Sequence, residues 1–143
     1  MNVRLQSDGV TLEFSSADGV AWQAVIDGVE FGCDGDGKIV AIDVRSRPWI
    51  GLADLGTDVE RSTGAVMRYD AAVGALAIDV VNSRYQESAE VLPGIIIDFD
   101  DRGDIVGLEF LDVGGQFSKN ALAEIVKYTI DGRPTKQMRA AGE

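Results

Sequence analysis

Apolar and polar residues alternate along two stretches of the chain, which is the pattern of half-buried β-strands. The first stretch predicts strands near residues 10–15, 20–26, 29–33 and 39–44. The second predicts strands near residues 75–81, 86–92, 95–99 and 105–111. The connections are short, whereas parallel pairing needs crossovers of about a dozen residues, so both sets are expected to be antiparallel meanders.

The two stretches align without a gap at an offset of 66 residues. The aligned pairs include core and turn positions, namely Val10 with Leu76, Leu12 with Ile78, Asp34 with Asp100, Gly37 with Gly103 and Ile39 with Ile105. Shared turn residues at one fixed offset indicate an internal tandem duplication. The sequence therefore predicts a mainly β (α+β) protein of two tandem four-stranded antiparallel units packed together.

The predicted organisation has four parts. They are a first repeat at 1–46, a linker at 47–66, a second repeat at 67–113, and a C-terminal helix with a polar tail at 114–143. Ser118 is the expected N-cap of a helix over 118–130, in which Leu122, Ile125 and Val126 form one apolar side.

The last strand of each repeat is apolar on both faces. Val40, Ile42 and Val44 alternate with Ile39 and Ala41, and the second repeat has the same character. Such strands are expected to be covered twice, by the other repeat and by the helix or a second chain. The pattern favours a compact two-layer body and leaves room for a homodimer or a hetero-complex.

Composition supports a soluble, cytoplasmic protein. The 143 residues are 45% apolar, which is enough for a shared core, and no run of about 18 apolar residues or basic-then-apolar leader is present. Cys33 is the single cysteine, so no intramolecular disulfide can form. Its position in an alternating strand favours a buried structural thiol over a reactive one.

Charge narrows the range of functions. The chain has no histidine, which removes the commonest general base and metal ligand. Its net charge of -11 opposes direct binding to nucleic acid or anionic lipid. Such acidity usually serves solubility, and the alternatives are a basic partner or mimicry of a nucleic acid.

The segment DFDDRGDIVGLE, residues 98–109, has nearly the spacing of a helix-loop-helix calcium site. The alternative is a hairpin in which Gly103 is left-handed, Asp100 faces Asp104 and Asp98 faces Val106. In that register Asp100 and Glu109 are roughly 16 Å apart, which is too far for one ion.

The hairpin is favoured, because the flanking segments resemble strands and Arg102 occupies a ligand position. No metal site is therefore expected. A weak cation contact at Asp98, Asp100 and Asp104 remains as an alternative.

No catalytic or cofactor-binding residue stands out, and no cofactor is expected. Glu87 and Glu90, near Arg84 and Tyr85, resemble an acid–base pair, but the solvent face of a strand explains them better. Trp49 and Arg47 are candidates for a partner contact, although a Trp in this position more often covers the sheet. The candidate interaction residues are Arg47, Trp49, Glu87 and Glu90.

The second repeat closely resembles the bacterial and archaeal family called domain of unknown function 2283. The resemblance rests on Tyr69-Asp70, Leu76-Ile78-Val80, Glu87 with Glu90, Pro93-Gly94, the Asp98–Gly103 turn and Val106-Gly107-Leu108-Glu109. It covers about residues 67–113 and implies a small antiparallel sheet without an established activity. The first repeat resembles the family only through the duplication.

The sequence thus favours a non-catalytic protein-interaction or accessory module with a basic protein partner or a second copy of itself. Small acidic proteins that neutralise a basic toxin or enzyme have this size and charge, which is an analogy only. The alternative is a small-ligand-binding protein or enzyme that uses a carboxylate-lined cleft between the two repeats.

Overall fold

The computed structural model describes residues 1–16, 19–49, 65–128 and 130–131. Two antiparallel sheets in tandem enclose one apolar core, which confirms the mainly β fold and the internal repeat. The first sheet contains β1 (Asn2–Gln6), β2 (Gly9–Glu13), β3 (Ala21–Ile26), β4 (Val29–Cys33) and β5 (Ile39–Val44). The second contains β6 (Ala65–Asp70), β7 (Ala75–Val80), β8 (Tyr85–Leu92), β9 (Ile95–Asp100) and β10 (Ile105–Phe110).

Each sheet has one antiparallel strand more than the four that the sequence predicts. The additional strand is β1 in the first sheet and β6 in the second, and each pairs with the strand that follows it. β1 was missed because only Val3 and Leu5 are apolar in it, and β6 because its first residues fall in the predicted linker. The short β11 (Ile130–Asp131) joins β6 in parallel.

The strand order corrects the predicted meander. The first sheet has the order β1-β2-β5-β4-β3, and β7, β10, β9 and β8 repeat this order in the second. β2 therefore pairs with β5 rather than with β3. The physical reason is that β5 and β10 are the most apolar strands, and the centre of a sheet is the position where both faces and both edges are covered.

The hairpin turn that the sequence predicts is confirmed in both repeats. Asp100 N–H donates to the Asp104 carbonyl at 2.9 Å, and Gly103, with a φ of 82°, donates to the Asp100 carbonyl at 3.1 Å. The first repeat has the same two bonds between Asp34 and Lys38 and between Gly37 and Asp34, at 2.9 and 3.0 Å. A positive φ favours glycine, which explains why both copies keep it.

The register beyond the turn differs from the prediction. Phe99 faces Ile105, but a bulge at Val106 then shifts the strand by one residue, so Asp98 faces Gly107 and not Val106 as predicted. The first repeat has a bulge at the equivalent position, Val40. There, the Val40 carbonyl accepts the backbone N–H groups of Phe14 and Ser15, at 2.9 and 3.3 Å. The bulge thus depends on a neighbouring strand that the hairpin sequence does not contain.

Aromatic rings join the two sheets. Phe31 of the first sheet lies 5.7 Å from Phe110 of the second, measured between ring centroids. Phe117 packs edge-on against both Phe110 and Phe14, at 4.9 and 5.8 Å. Burial of one such ring contributes roughly 1.5–3 kcal/mol, so this group is a major part of the contact between the repeats.

The C-terminal helix begins where the sequence predicts. α1 (Val113–Gln116) is a single turn, and α2 (Lys119–Tyr128) follows it. Ser118 Oγ accepts the Ala121 N–H at 3.0 Å, which confirms the N-cap. The helix ends earlier than the predicted residue 130, because Ile130 lies in β11. Ala121 and Ile125 are buried in the shared core, whereas Val126 is exposed.

Most of the predicted linker and the polar tail lie outside the described residues, so their boundaries remain predictions. Within the described ranges, no helix is long and apolar enough to cross a membrane.

Candidate functional site

Two rows of side chains cross the outer face of the second sheet, which is the face opposite the core. One row contains Asp79, Gly107, Asp98 and Ser88, which are paired from β7 to β8. The neighbouring row contains Arg68, Ala77, Glu109, Ile96 and Glu90, paired from β6 to β8. Side chains in one such row, and diagonally between rows, lie within reach of one another. The face therefore brings carboxylates from four different strands together.

Gly107 makes room for this arrangement. A Cβ atom added at Gly107 would lie 2.6 Å from Asp98 Oδ2 and 2.9 Å from Asp79 Oδ1. The missing side chain helps to form a depression of about 330 Å³. This depression is here called the central depression. The residues that line it are Arg68, Ala77, Asp79, Ser83, Tyr85, Ser88, Asp98, Val106 and Glu109.

Hydrogen bonds connect the side chains on one side of the central depression. Ser88 Oγ donates to Asp98 Oδ1 at 2.6 Å, and Ser88 in turn lies 2.8 Å from the hydroxyl of Tyr85. Because the Ser88 proton points to Asp98, the Tyr85 hydroxyl is the donor in the second bond. Asp98 is only 9% exposed, so these bonds replace water that the carboxylate has lost. On the other side, the Arg68 guanidinium contacts Asp79.

Glu109 has an unusual electrostatic environment. Its pKa is raised above the ordinary value of 4.5, first by burial and then by the hydrogen bond with Asp98 and the negative charge of Asp98. Arg68 opposes this rise without cancelling it. Two carboxyl groups in contact favour a form in which one of them keeps its proton. Glu109 therefore keeps its proton to a higher pH than an isolated carboxyl does.

In the first sheet, the carboxylate that corresponds to Glu109 is neutralised by a nearby cation. Asp43, the counterpart of Glu109, is 8% exposed and accepts from three donors. They are Thr11 Oγ1 at 2.6 Å, Gln6 Nε2 at 2.9 Å and Arg45 Nε at 3.1 Å. Both repeats thus place a carboxylate on the outer face of the central strand, but only the first supplies it with a cation of its own.

The interaction residues predicted from the sequence differ in their exposure to solvent. Glu87 and Glu90 are exposed on the edge strand β8, and Arg47 is exposed after β5. Trp49 is fully buried, and its Nε1 donates to the Ile105 carbonyl at 2.9 Å. Trp49 is therefore part of the core and not an exposed anchor, because its polar atom has a partner inside the protein.

The three aspartates considered for a cation lie in two different settings. Asp100 Oδ1 accepts the N–H groups of Arg102 and Asp104, both at 2.9 Å, whereas Asp98 lines the central depression. Among the described side chains, no group of three or more carboxylates or thiols is arranged to hold a metal ion. Strands, and not helices, flank the segment 98–109.

Apolar side chains from both repeats pack into one core between the sheets. Asp79, Asp98 and Glu109 lie on the outer face of the second sheet. Sequence reasoning missed Arg68 and Asp79 and the pairing of Glu109 with Asp98. The sequence does have charged residues at the outward positions of β7, β9 and β10. Recognising that they meet requires the strand order and the bulge, which the sequence does not reveal.

Cys33 is half-buried at the end of β4. Burial, followed by the charge of Asp34, raises the pKa of its thiol. The neutral thiol is the less reactive form, so the environment favours a structural role.

Residues 67–113 match the model of the family described as Protein of unknown function (DUF2283), which confirms the resemblance stated above. The matched segment begins within β6, contains β7 to β10 and includes every residue that lines the central depression. The first repeat lies outside the match. No curated protein and no solved structure matches the chain.

Proposed function

We propose that the chain is a non-catalytic binding module, and that the outer face of the second sheet docks a basic protein. The observation that carries the proposal is the concentration of charge around this face. Residues 67–113 contain ten Asp and Glu against three Arg, a net charge of -7. A surface of one sign raises the association rate of partners of the opposite sign and lowers that of others.

The arrangement of ion pairs supports the choice of this face. On the first sheet, Arg4 lies 3.3 Å from Glu13, and Arg45 lies 3.3 Å from Asp8 and 3.1 Å from Asp43. On the second sheet, Arg68 is engaged by Asp79, and Arg84 lies 3.9 Å from Asp101. Within the described residues, Asp98 and Glu109 form no ion pair, whereas Asp43 of the first sheet is paired with Arg45. The second face therefore leaves these two carboxylates for a partner.

The edge strand β8 adds an exposed aromatic residue to the acidic surface. Tyr85 is 62% exposed and lines the central depression. Tyrosine is enriched in protein interfaces because it offers a large, rigid contact area together with a polar group. An acidic surface next to an exposed Tyr suits a segment of a protein that is rich in Lys and Arg.

Calorimetric titration with a short Arg- and Lys-rich peptide tests this proposal, at about 0.05 and 0.5 M NaCl because salt screens exposed charges. The variant Glu87→Gln/Glu90→Gln/Asp101→Asn removes three exposed charges beside the docking face. The matched control Asp27→Asn/Glu30→Gln/Asp36→Asn removes the same charge from the first repeat. Salt-sensitive binding that is lost only in the first variant supports the proposal. Equal loss in both variants, or no binding, contradicts it.

The second candidate function is a small-ligand site in the central depression, and the specific observation in its favour is the Asp98–Glu109 pair beside three hydroxyl groups. Native mass spectrometry of the purified protein distinguishes the candidates. A bound molecule that is lost in Gly107→Ala, which fills the depression, supports this second function. The bare mass of the chain, together with peptide binding, supports the first.

A further inference from the structure

Asp98 and Glu109 are diagonal neighbours on the outer face. Asp98 faces Gly107, and Glu109 follows Gly107 by two residues on the same side of β10. Because Gly107 has no side chain, nothing on β10 separates the two carboxyl groups, and both line the central depression. The contact is therefore a consequence of the bulge that brings Gly107 opposite Asp98.

The charged and titratable groups around the pair come from every strand of the sheet except β11. They are Arg68 and Asp70 on β6, Asp79 on β7 and Tyr85 on β8, together with the pair itself on β9 and β10. Arg68 is the one cation among them, and it is engaged by Asp79. Two adjacent, partly buried carboxylates without a cation of their own cannot both ionise without a cost in free energy.

The first repeat provides an internal comparison. At the position of Asp98 it has Gly32, so Asp43 has no carboxyl partner there, and Arg45 neutralises it. The pairing of two carboxyl groups is therefore not required by the fold. The pairing of two carboxyl groups distinguishes the second repeat from the first.

We propose that Glu109 keeps its proton in the folded protein, donates it in a hydrogen bond to Asp98, and acts as a pH-sensitive switch. With the proton bound, the two groups hydrogen-bond to each other and the outer face has one negative charge fewer. When the proton leaves, the carboxylates repel, Glu109 turns towards solvent, and the face presents the additional charge. The switch belongs to the free protein and does not depend on the proposed docking of a basic partner.

The sign of the effect on stability follows from the direction of the Glu109 shift. A carboxyl whose pKa is higher in the folded than in the unfolded chain stabilises the fold fully below the unfolded value of 4.5. This contribution is lost as the pH rises through the folded value. The switch therefore makes the folded protein less stable towards neutral pH.

Titration of the side-chain carboxyl carbons by NMR tests the proposal in wild type, Asp98→Asn, Glu109→Gln and the control Asp43→Asn. We expect the pKa of Glu109 to lie above 4.5 in the wild type. It should fall in Asp98→Asn, because the hydrogen bond and the charge of Asp98 are then lost. In Asp43→Asn the pKa of Glu109 should not move. If Asp98→Asn does not fold, urea unfolding of Glu109→Gln decides.

Unfolding in urea between pH 4.5 and 7 gives an independent readout. Glu109→Gln should flatten the pH dependence, whereas Asp43→Asn, which removes the same charge, should not. The proposal is overturned if the pKa of Glu109 is the same in Asp98→Asn as in the wild type. It is also overturned if Glu109→Gln and Asp43→Asn change the pH dependence equally, because the effect would then be one of net charge alone.

Discussion

Trp49 Nε1 donates a hydrogen bond of 2.9 Å to the backbone carbonyl of Ile105, across the boundary between the repeats. Ser46 Oγ donates to the same carbonyl at 3.2 Å. Ile105 directly precedes the bulge of the second repeat. In the first repeat, the equivalent carbonyl, that of Ile39, accepts the Ser118 N–H at 3.1 Å. The segment after each repeat thus reaches the bulge of the other, and this exchange, here called the reciprocal contact, binds the two sheets together.

Trp49→Phe should destabilise the protein by about 2–3 kcal/mol, because the smaller ring leaves a gap in the core and removes one donor to a buried carbonyl. Urea denaturation measures the change. The control is Trp22→Phe, since Trp22 is 43% exposed and should cost less than about 1 kcal/mol. Equal effects of the two substitutions would contradict the importance of the reciprocal contact.

Gly107→Ala should cost about 1–3 kcal/mol, because the new methyl group would meet the carboxylates of Asp98 and Asp79. Thermal unfolding of the variant beside Gly35→Ala measures the effect. Gly35 has open space around the position of a Cβ and no positive φ, so its substitution should be nearly neutral. A Gly107→Ala protein as stable as the wild type would show that the two carboxylates move apart at little cost.

Asp104→Lys should raise the stability by about 0.2–1 kcal/mol, because opposite charges then face each other across the hairpin. The first repeat already has such a pair, Asp34 with Lys38, on the same backbone hydrogen bonds. The midpoint of urea unfolding measures the gain, and Asp104→Asn should give an intermediate value. A lower midpoint for Asp104→Lys would argue against a side-chain interaction across this turn.

Glu124→Gln should lower the melting temperature at neutral pH. The hydrogen bond from Lys127, 2.8 Å from the carboxylate, and the bond from the N-terminal amino group lower the pKa of Glu124 to about 2. A depressed pKa contributes stability above the unfolded value of 4.5, and this contribution is lost as the pH falls through about 2. The difference between variant and wild type should therefore shrink on acidification, as followed by circular dichroism. The exposed Glu87→Gln serves as the control.

The features that the sequence predicted correctly are local ones. The hairpin turns require Asp34 or Asp100 to accept amides of their own loop, and Gly37 or Gly103 to adopt a positive φ. The Ser118 cap likewise depends on residues three positions apart. Such contacts are encoded within a few residues, so a pattern of letters is enough to find them.

The features that were missed depend on distant parts of the chain. The pairing of β2 with β5 joins Val10 to Val44, and the bulges at Val40 and Val106 change the register beyond each turn. The central depression follows from both, because Asp98 meets Glu109 only after the shift. Periodicity reports which residues face the core, but it does not report which strand lies next to which.

The match to the family model spans one repeat, and one repeat is a sheet with one apolar face. In this protein the other repeat covers that face and completes the reciprocal contact. A chain with a single repeat would leave that face exposed unless another molecule covered it, and a second copy of itself would do so around a twofold axis. The present chain has the arrangement of two such copies joined into one polypeptide. Once the halves are joined, each can change separately, so that Asp43 has an ion pair with Arg45 while its counterpart Glu109 lies beside Asp98.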